Sequence, residues 1–543
     1  MIIINAFPNI MHITTRRKVG IFSHLLQLFS FNNLQYKLRM RLFCSFGNTR
    51  NSLEIVEQEK AFLLGMNTET IRSTIRNRFG SNFSQHEMQK FVDDFFPKDE
   101  YEIPQLTISL LADLIERCAT FQLVLPVKPF TVQLVTKKEQ ISVVDFWKLL
   151  YGLKAFRCLD SEKCSDGVVN LIDALVPVIN SLRRDLTAEA VGKSLCGLQN
   201  MSPSHRKVRT LLQVLIPWIE SCKEQLSGND VELALIGLRS MDSTHEEVLS
   251  LLAMLAPMIH SSKSNLSARN ICNALFALRN MSCERKEVRA VMLSLAIRLQ
   301  SCPGQLDTLA IGNALYGLRN MKSNKEEIRT ALSALAARIQ SSSAVLDAQA
   351  VASALYGLKG MDSDFPEVRA VLRALLPKLA YCDQPFTAQH LSNSLFGLKN
   401  MYLEHEEVKA VLVFLTDKLR TCRDKKWTSQ NISNALFGLR NMNSHADEVR
   451  VLLRELLPFI EASRDPFSSL SVSCSLLGLR KMSDNYKEVD RIVDALRPKI
   501  EACRSLLTSI HSRNGLIGLR HMNKERNKKI IQLLEEAMTR NYK

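Results

Sequence analysis

Basic side chains recur at a fixed spacing along most of the 543-residue chain. Steps of 40 or 41 residues separate the members of one basic set, which comprises Arg239, Arg279, Arg319, Lys359, Lys399, Arg440, Arg480 and Arg520. Lys154 holds the same position in an earlier copy, and Gln199 interrupts the series. Stacked copies would align these cations into a column that suits the phosphates of a flexible polyanion. A structural role is the alternative, because cations near a helix C-terminus stabilise its dipole by about 0.3–1 kcal/mol.

A second basic set lies elsewhere in each copy and comprises Arg209, Arg289, Arg329, Arg369, Lys409 and Arg450. These residues stand near a predicted helix start, where the dipole does not favour a cation. The sequence leaves two explanations open for this set. The side chains add to the contact with a polyanion, or part of the set pairs with neighbouring glutamates at the surface.

Both sets belong to a repeat whose landmark is Gly-Leu-x-x-Met. The landmark methionine stands at 201, 241, 281, 321, 361, 401, 442, 482 and 522. A fixed period of this length is the signature of a stacked repeat array. Ten residues before the landmark glycine, or its alanine equivalent, each copy has a residue that caps helix starts, namely Thr187, Ser227, Ser267, Asp307, Asp347, Thr387, Thr428, Ser468 or Thr508. Ser142 stands at the same offset before Gly152, which extends the array backwards by one copy.

Apolar residues after each cap fall at helical spacing, as in Val191, Leu195 and Leu198, and a polar loop and a second apolar helix follow. No strand signal is found. We therefore predict an all-α protein, with an α-solenoid of about ten helical hairpins over 142–543 and an irregular helical cap or adapter over 54–141. The landmark glycine lies inside the first helix, and Ala277 replaces it once. A position inside a helix that accepts only glycine or alanine predicts that neighbouring helices approach closely there. A bulky side chain at this position would clash.

A mostly polar position lies four residues before the landmark glycine. Its polar members include Asn273, Asn313, Ser353, Asn393, Asn434 and Asn514. An amide offers both a donor and an acceptor, as recognition of a base edge requires, and modular RNA-binding proteins use one repeat per base. The alternative is a purely structural ladder of asparagines that bond between neighbouring copies. The sequence does not decide between these two roles.

Nothing in the chain indicates catalysis or a metal site. Almost every notable residue is periodic, whereas catalysis needs a unique constellation, and no phosphate-loop signature or H-E-x-x-H motif occurs. His205, His245 and His405 share a loop position and His445 lies within one residue of it, but helices pack about 8–10 Å apart, too far for neighbouring copies to share an ion. The 13 cysteines form no C-x-x-C pair, and five of them share one repeat position with serines. We predict free thiols, no cofactor and no enzymatic activity.

The first 53 residues differ from the rest of the chain. They contain no acidic residue and seven basic ones, Arg16, Arg17, Lys18, Lys37, Arg39, Arg41 and Arg50, among bulky apolar residues. This composition is typical of an organelle transit peptide, and mitochondrion is favoured over plastid. No run of apolar residues is long enough to span a bilayer. The formal net charge is +16, so 16 − 7 = +9 remains on the rest of the chain, which indicates an anionic partner.

Hairpins that end in sequences such as ALYGLRNM, behind a transit-like leader, resemble the organellar RNA-binding helical-repeat proteins. The octotricopeptide-like repeats and the repeat domain of RNA-editing substrate-binding complex subunits are the most similar, over about 142–543. The usual Pro-Pro-Pro-Glu-Trp-Leu signature of octotricopeptide repeats is absent. The resemblance implies single-stranded RNA binding in transcript processing, editing, stability or translation, with other proteins of an organellar complex as further partners.

The sequence thus supports two hypotheses. In the first, the chain is a non-enzymatic RNA-binding solenoid, with phosphates along the first basic set and bases at the asparagine-bearing face. In the second, it is a protein-binding scaffold of armadillo or HEAT type. A continuous basic groove favours RNA, whereas an apolar or mixed groove favours a protein partner.

Overall fold

The computed structural model describes residues 107–120, 134, 141–155, 166–182, 186–262, 266–424, 426–503 and 506–540. The predicted transit segment 1–53 and most of the predicted cap 54–141 lie outside these residues. The chain divides into two compact units, Met1–Arg183 and Arg184–Lys543. The described residues are helices and loops without strands. None of the described helices is both long and apolar enough to cross a membrane.

The first unit contains three described helices: α1 (Ile108–Thr120), α2 (Val143–Gly152), which continues into a 3₁₀ turn (Leu153–Ala155), and α3 (Asp166–Ser181). Helices α1 and α2 pack against each other. Gly152 lies so close to Ile115 that an added Cβ would stand 1.7 Å from its Cγ2 atom. Lys148, which precedes Gly152 by four residues, is bound to Asp113 at 2.5 Å.

The second unit is an α-solenoid, as predicted, and its described part contains nine helical hairpins. In chain order they are α4 (Ala188–Cys196) and α5 (Arg206–Glu220), α6 (Gly228–Ile236) and α7 (Glu246–Ser261), α8 (Ala268–Ala277) and α9 (Lys286–Ser301), α10 (Thr308–Gly317) and α11 (Glu326–Ser341), α12 (Ala348–Gly357) and α13 (Pro366–Ala380), α14 (Ala388–Gly397) and α15 (Glu406–Arg420), α16 (Ser429–Gly438) and α17 (Asp447–Ala462), α18 (Ser469–Gly478) and α19 (Lys487–Ala502), and α20 (Ser509–Gly518) and α21 (Lys528–Arg540). Short 3₁₀ turns, Leu278–Asn280 and Leu358–Gly360, follow α8 and α12.

The hairpins stack in two layers. The first helix of each hairpin packs on the first helix of the next, and the second helices pack on one another in the same way. The core lies between the layers, where residues such as Leu355, Leu358, Met361, Val368 and Leu372 have no exposed surface. The apolar stripes predicted from helical spacing are therefore the buried faces.

All ten predicted helix caps are confirmed. At each of these positions a side-chain oxygen accepts a hydrogen bond from the backbone N–H three residues later, which satisfies one of the free donors of the helix start. Seven of the second helices carry a glutamate in the first turn, near the positive end of the helix dipole.

The landmark glycines mark the closest approach of neighbouring first helices. At Gly357 an added Cβ would stand 2.0 Å from the carbonyl oxygen of Leu315, and the equivalent distance at Gly237, Gly317, Gly397, Gly438, Gly478 and Gly518 is 1.9–2.2 Å. Gly237 has ordinary helical dihedrals, with φ at −56°. The prediction of close helix packing is therefore confirmed, and a side chain at these positions would push two hairpins apart.

Candidate functional site: a cationic and aromatic face of the second unit

Three residues of each hairpin, spaced three apart, share the open face of the first helix. In the hairpin of α10 they are Asn313, Tyr316 and Arg319, which are partly exposed, while Leu315 and Leu318 between them are buried. Residues three or four apart lie on one side of a helix. Because the first helices stack side by side, the three positions form three parallel columns, which we call the amide, aromatic and cation columns.

The aromatic column is a continuous stack of rings. It comprises Phe276, Tyr316, Tyr356, Phe396 and Phe437, one ring from each of five successive hairpins. Neighbouring ring centroids are 5.7–5.8 Å apart, with angles of 22–30° between the ring planes. Offset rings at such distances attract one another beyond the apolar area that they bury. Ile236, Leu477 and Ile517 hold the same position in hairpins nearer the ends.

Each cation in these five hairpins lies over the ring of its own hairpin. The distances from the charged group to the ring centroid are 4.6 Å for Arg279, 4.8 Å for Arg319, 4.7 Å for Lys359, 4.5 Å for Lys399 and 4.8 Å for Arg440. The face of an aromatic ring attracts a cation electrostatically. In the first unit, Lys154 lies over Tyr151 at 3.7 Å with the same spacing in sequence.

Several arginines of the cation column also brace adjacent hairpins. The Nε atom of Arg319 donates to the carbonyl of Arg279 at 3.1 Å, and its Nη2 atom donates to Asn280 at 2.6 Å. The same pair of bonds joins Arg440 to Lys399 and Asn400, and Arg480 to Arg440 and Asn441. Arg239 makes one such bond, to Asn200 at 3.0 Å, whereas the exposed Arg520 donates to its neighbour His521.

The cation column has no acidic partners among the described residues. None of its eight members in the second unit is found in an ion pair there, although the described chain contains many ion pairs elsewhere. Burial together with the neighbouring cations lowers the pKa of Arg279, Arg440 and Lys359. The same causes, with Arg440 and Lys359 as neighbours, lower the pKa of Lys399 to about 8. The column is thus a row of uncompensated positive charge.

The second basic set is different, because most of its charges are paired. Arg289 bonds Glu327 at 3.1 Å, and Lys409 bonds Glu406 at 2.6 Å, while Arg209 and Arg329 lie 4.0 and 3.8 Å from glutamates. Arg369 and Arg450 donate to loop carbonyls, and Arg450 also pairs with Asp447. Of the two explanations left open by the sequence, pairing with neighbouring acids describes this set. These residues hold loops and hairpins together.

The amide column lines a groove beside the aromatic rings. A cavity of about 620 Å³ is lined by Asn313, Ser353 and Asn393, by Arg279, and by the rings of Phe276, Tyr316 and Tyr356. Within the described chain, the side chains of Asn313, Asn393, Asn434 and Asn514 make no hydrogen bond. Asn273 differs, because its Nδ2 atom donates to Glu232 at 2.8 Å. Ser353 accepts from Gln349 at 3.0 Å.

A structural ladder of asparagines exists, but at another repeat position. Asn280, Asn320 and Asn400 follow the cation column by one residue, and each donates to the carbonyl of the preceding hairpin's cation residue at 2.9–3.0 Å. The alternative that placed this ladder in the amide column is therefore wrong for most of its members. Their amides are left available to a ligand.

The histidines and cysteines take part in ordinary local contacts. His405 contacts Asp364 at 3.0 Å, and His445 contacts the hydroxyl of Tyr486 at 2.8 Å. No group of three or more histidine, cysteine or acidic side chains in the described residues is arranged to hold a metal ion. Ten described cysteines are free, and at the shared small position Ser262 and Ser342 each donate, at 2.6 Å, to the carbonyl of the residue just before the first-helix cap of the same hairpin.

Comparison with known proteins does not add to this description. No protein-family model matches the chain, and no curated protein sequence matches it. The candidate site is therefore described by its own geometry. The aromatic column is the part that sequence reasoning missed, although its signal, a ring directly before the landmark glycine in five successive copies, is present in the sequence.

Proposed function

We propose that the chain is a non-enzymatic protein that binds single-stranded RNA along the first helices of its second unit. The observation that carries this proposal is the row of cations without acidic partners beside a groove lined by amides. In water, uncompensated cations held a few ångströms apart repel one another, and the phosphates of a nucleic-acid strand would relieve that repulsion. A single strand fits this arrangement because its exposed bases can reach amide groups in the groove.

The armadillo- or HEAT-like scaffold has less support. A groove for a peptide or an amphipathic helix is expected to be apolar or of mixed charge. The groove beside the rings combines Arg279 and Asp347 with apolar residues and with amides that have no partner in the described chain, such as Asn313 and Asn393, so the support for RNA comes from the cation column next to it. The faces of the rings are already covered by neighbouring rings and by cations.

Titration of the full-length protein with labelled single-stranded RNA tests the proposal. We expect binding whose logarithmic affinity falls linearly with the logarithm of salt concentration, with a slope of about −0.7 for each phosphate contact. A polyglutamate peptide of the same net charge and a duplex RNA serve as controls, and both should bind more weakly. Equal affinity for the peptide would favour the scaffold, and no affinity for any single strand would refute the proposal.

We also propose that the protein acts in mitochondria, in the processing, editing, stability or translation of a transcript. The support is the basic, acid-free composition of residues 1–53. Fusion of these residues to a fluorescent protein should direct it to mitochondria. A matched fusion in which the seven basic residues are replaced by glutamine should stay in the cytosol. Import into plastids, or no difference between the two fusions, would contradict this localisation.

A further inference from the structure

The members of the cation column differ in how many of their donors are already used. In Arg319, Arg440 and Arg480, both Nε and Nη2 donate to the preceding hairpin. These bonds require the planar fork of a guanidinium group, which lysine lacks. Lys359 and Lys399 occupy the two adjacent positions between Arg319 and Arg440. The column therefore changes from bracing arginines to unbraced lysines at its centre.

The two lysines have almost no partners of their own. The Nζ atom of Lys359 donates only to the hydroxyl of Tyr356, at 3.3 Å, and Lys399 makes no hydrogen bond within the described chain. An ammonium group carries three donors, so at least five of the six donors of this pair are unused by the protein. Both side chains are partly buried over rings whose centroids are 5.8 Å apart.

Among the described residues, no acid lies close enough to this pair to neutralise it. Lys399 faces Lys359 on one side and Arg440 on the other, with the rings of Phe396 and Phe437 beneath it and the thiol of Cys474 near it. Lys359 faces Arg319 and the phenol of Tyr316. Partly desolvated cations with free donors are the arrangement in which an anion gains most from charge-assisted hydrogen bonds.

We propose that Lys359 and Lys399 form the principal anion subsite of the cation column and bind a phosphate group, while Arg319, Arg440 and Arg480 serve to fix adjacent hairpins. This inference rests on the proposed RNA binding, and it divides the column into binding and bracing members. A bound phosphate would favour the charged form of Lys399. Because the pKa of that lysine in the free protein is lowered to about 8, binding above this pH must take up a proton.

Binding of an oligoadenylate, whose bases do not titrate near neutral pH, tests the subsite. For the unmodified protein we expect affinity to fall about tenfold between about pH 7 and pH 9. At the higher pH most Lys399 side chains are neutral and must take up a proton when phosphate binds. Lys399→Arg keeps the charge at both pH values, so its affinity should change little over this range. Lys359→Gln with Lys399→Gln should weaken binding at pH 7 by at least tenfold and remove the dependence on pH.

Arg289→Gln with Arg329→Gln is the matched control, because it also removes two positive charges, but from second-helix residues outside the column that pair with Glu327 and Glu367. We expect it to lower the midpoint of urea unfolding and to change oligoadenylate affinity less than threefold. The inference is overturned if the unmodified protein binds RNA while the double lysine variant binds equally well, or if Lys399→Arg retains the full pH dependence. Failure of the unmodified protein to bind any single strand would instead refute the proposed function itself.

Discussion

Replacement of Arg279, Arg319, Lys359 and Lys399 by glutamine in one variant is expected to weaken single-stranded RNA binding by about 100-fold at moderate salt. The four side chains come from four successive hairpins and have no acidic partners in the described structure. Because each phosphate contact contributes about 0.7 to the salt slope and Arg319 serves mainly to fix adjacent hairpins, the slope should become shallower by about two. Fluorescence anisotropy over a series of salt concentrations measures both quantities.

The chain offers a control with the same change in net charge. Glutamine at Arg289, Arg329, Arg369 and Lys409 also removes four positive charges, from the second helices of the same hairpins. Three of these residues pair with glutamates, so their charges are already compensated. This variant should keep most of its RNA affinity and nearly all of its salt slope. Similar losses in both variants would mean that net charge, and not the cation column, determines binding.

Gly357→Val is expected to have the largest effect on stability. Its Cβ would lie 2.0 Å from the carbonyl oxygen of Leu315 and 2.4 Å from the carbonyl carbon, both of which are backbone atoms that cannot rotate away. Helices α10 and α12 must therefore separate, which disturbs the layer of rings above them. We expect the free energy of unfolding to fall by about 3 kcal/mol or more, as for severe overpacking of a core. Urea denaturation followed by circular dichroism gives the value.

Gly515→Ala is the comparison for this variant. Gly515 also lies in a first helix, α20, but an added Cβ would meet only flexible leucine side-chain atoms, at 3.1 Å or more. Alanine is intrinsically better than glycine in a helix by up to about 1 kcal/mol, so this change should be close to neutral. If Gly357→Val unfolded at the same urea concentration as Gly515→Ala, the close contact between first helices could not be a determinant of stability.

The fold was predictable because its determinants are local and repeat in register. A cap such as Thr428 acts on the backbone N–H three residues away, and Gly357 signals close packing by its position inside an apolar stripe. Neither prediction depends on knowing which residues of another hairpin lie against these positions. Ten caps and seven close glycine contacts follow from such short-range rules.

The candidate site was less predictable because it depends on contacts between hairpins. The asparagine ladder lies seven residues after the amide column, for example at Asn320 and not at Asn313. Helical periodicity places Asn320 two turns after Asn313 on the same side, but α10 ends at Gly317 and Asn320 lies in the turn that follows. Likewise, Arg289 pairs with a glutamate 38 residues away, and no sequence rule shows that Arg319 lacks such a partner.

Nearest-neighbour packing has a further consequence at the carboxyl-terminal end of the described array. Helix α20 packs against α18 and its own partner α21, and it buries only three small residues, Ser512, Gly515 and Gly518, while Ile510 is 74% exposed. Within the described array, a central first helix such as α12 packs against two other first helices, α10 and α14, whereas α20 packs against one, α18. We therefore expect the backbone amides of α20 to exchange with solvent hydrogen faster than those of α12.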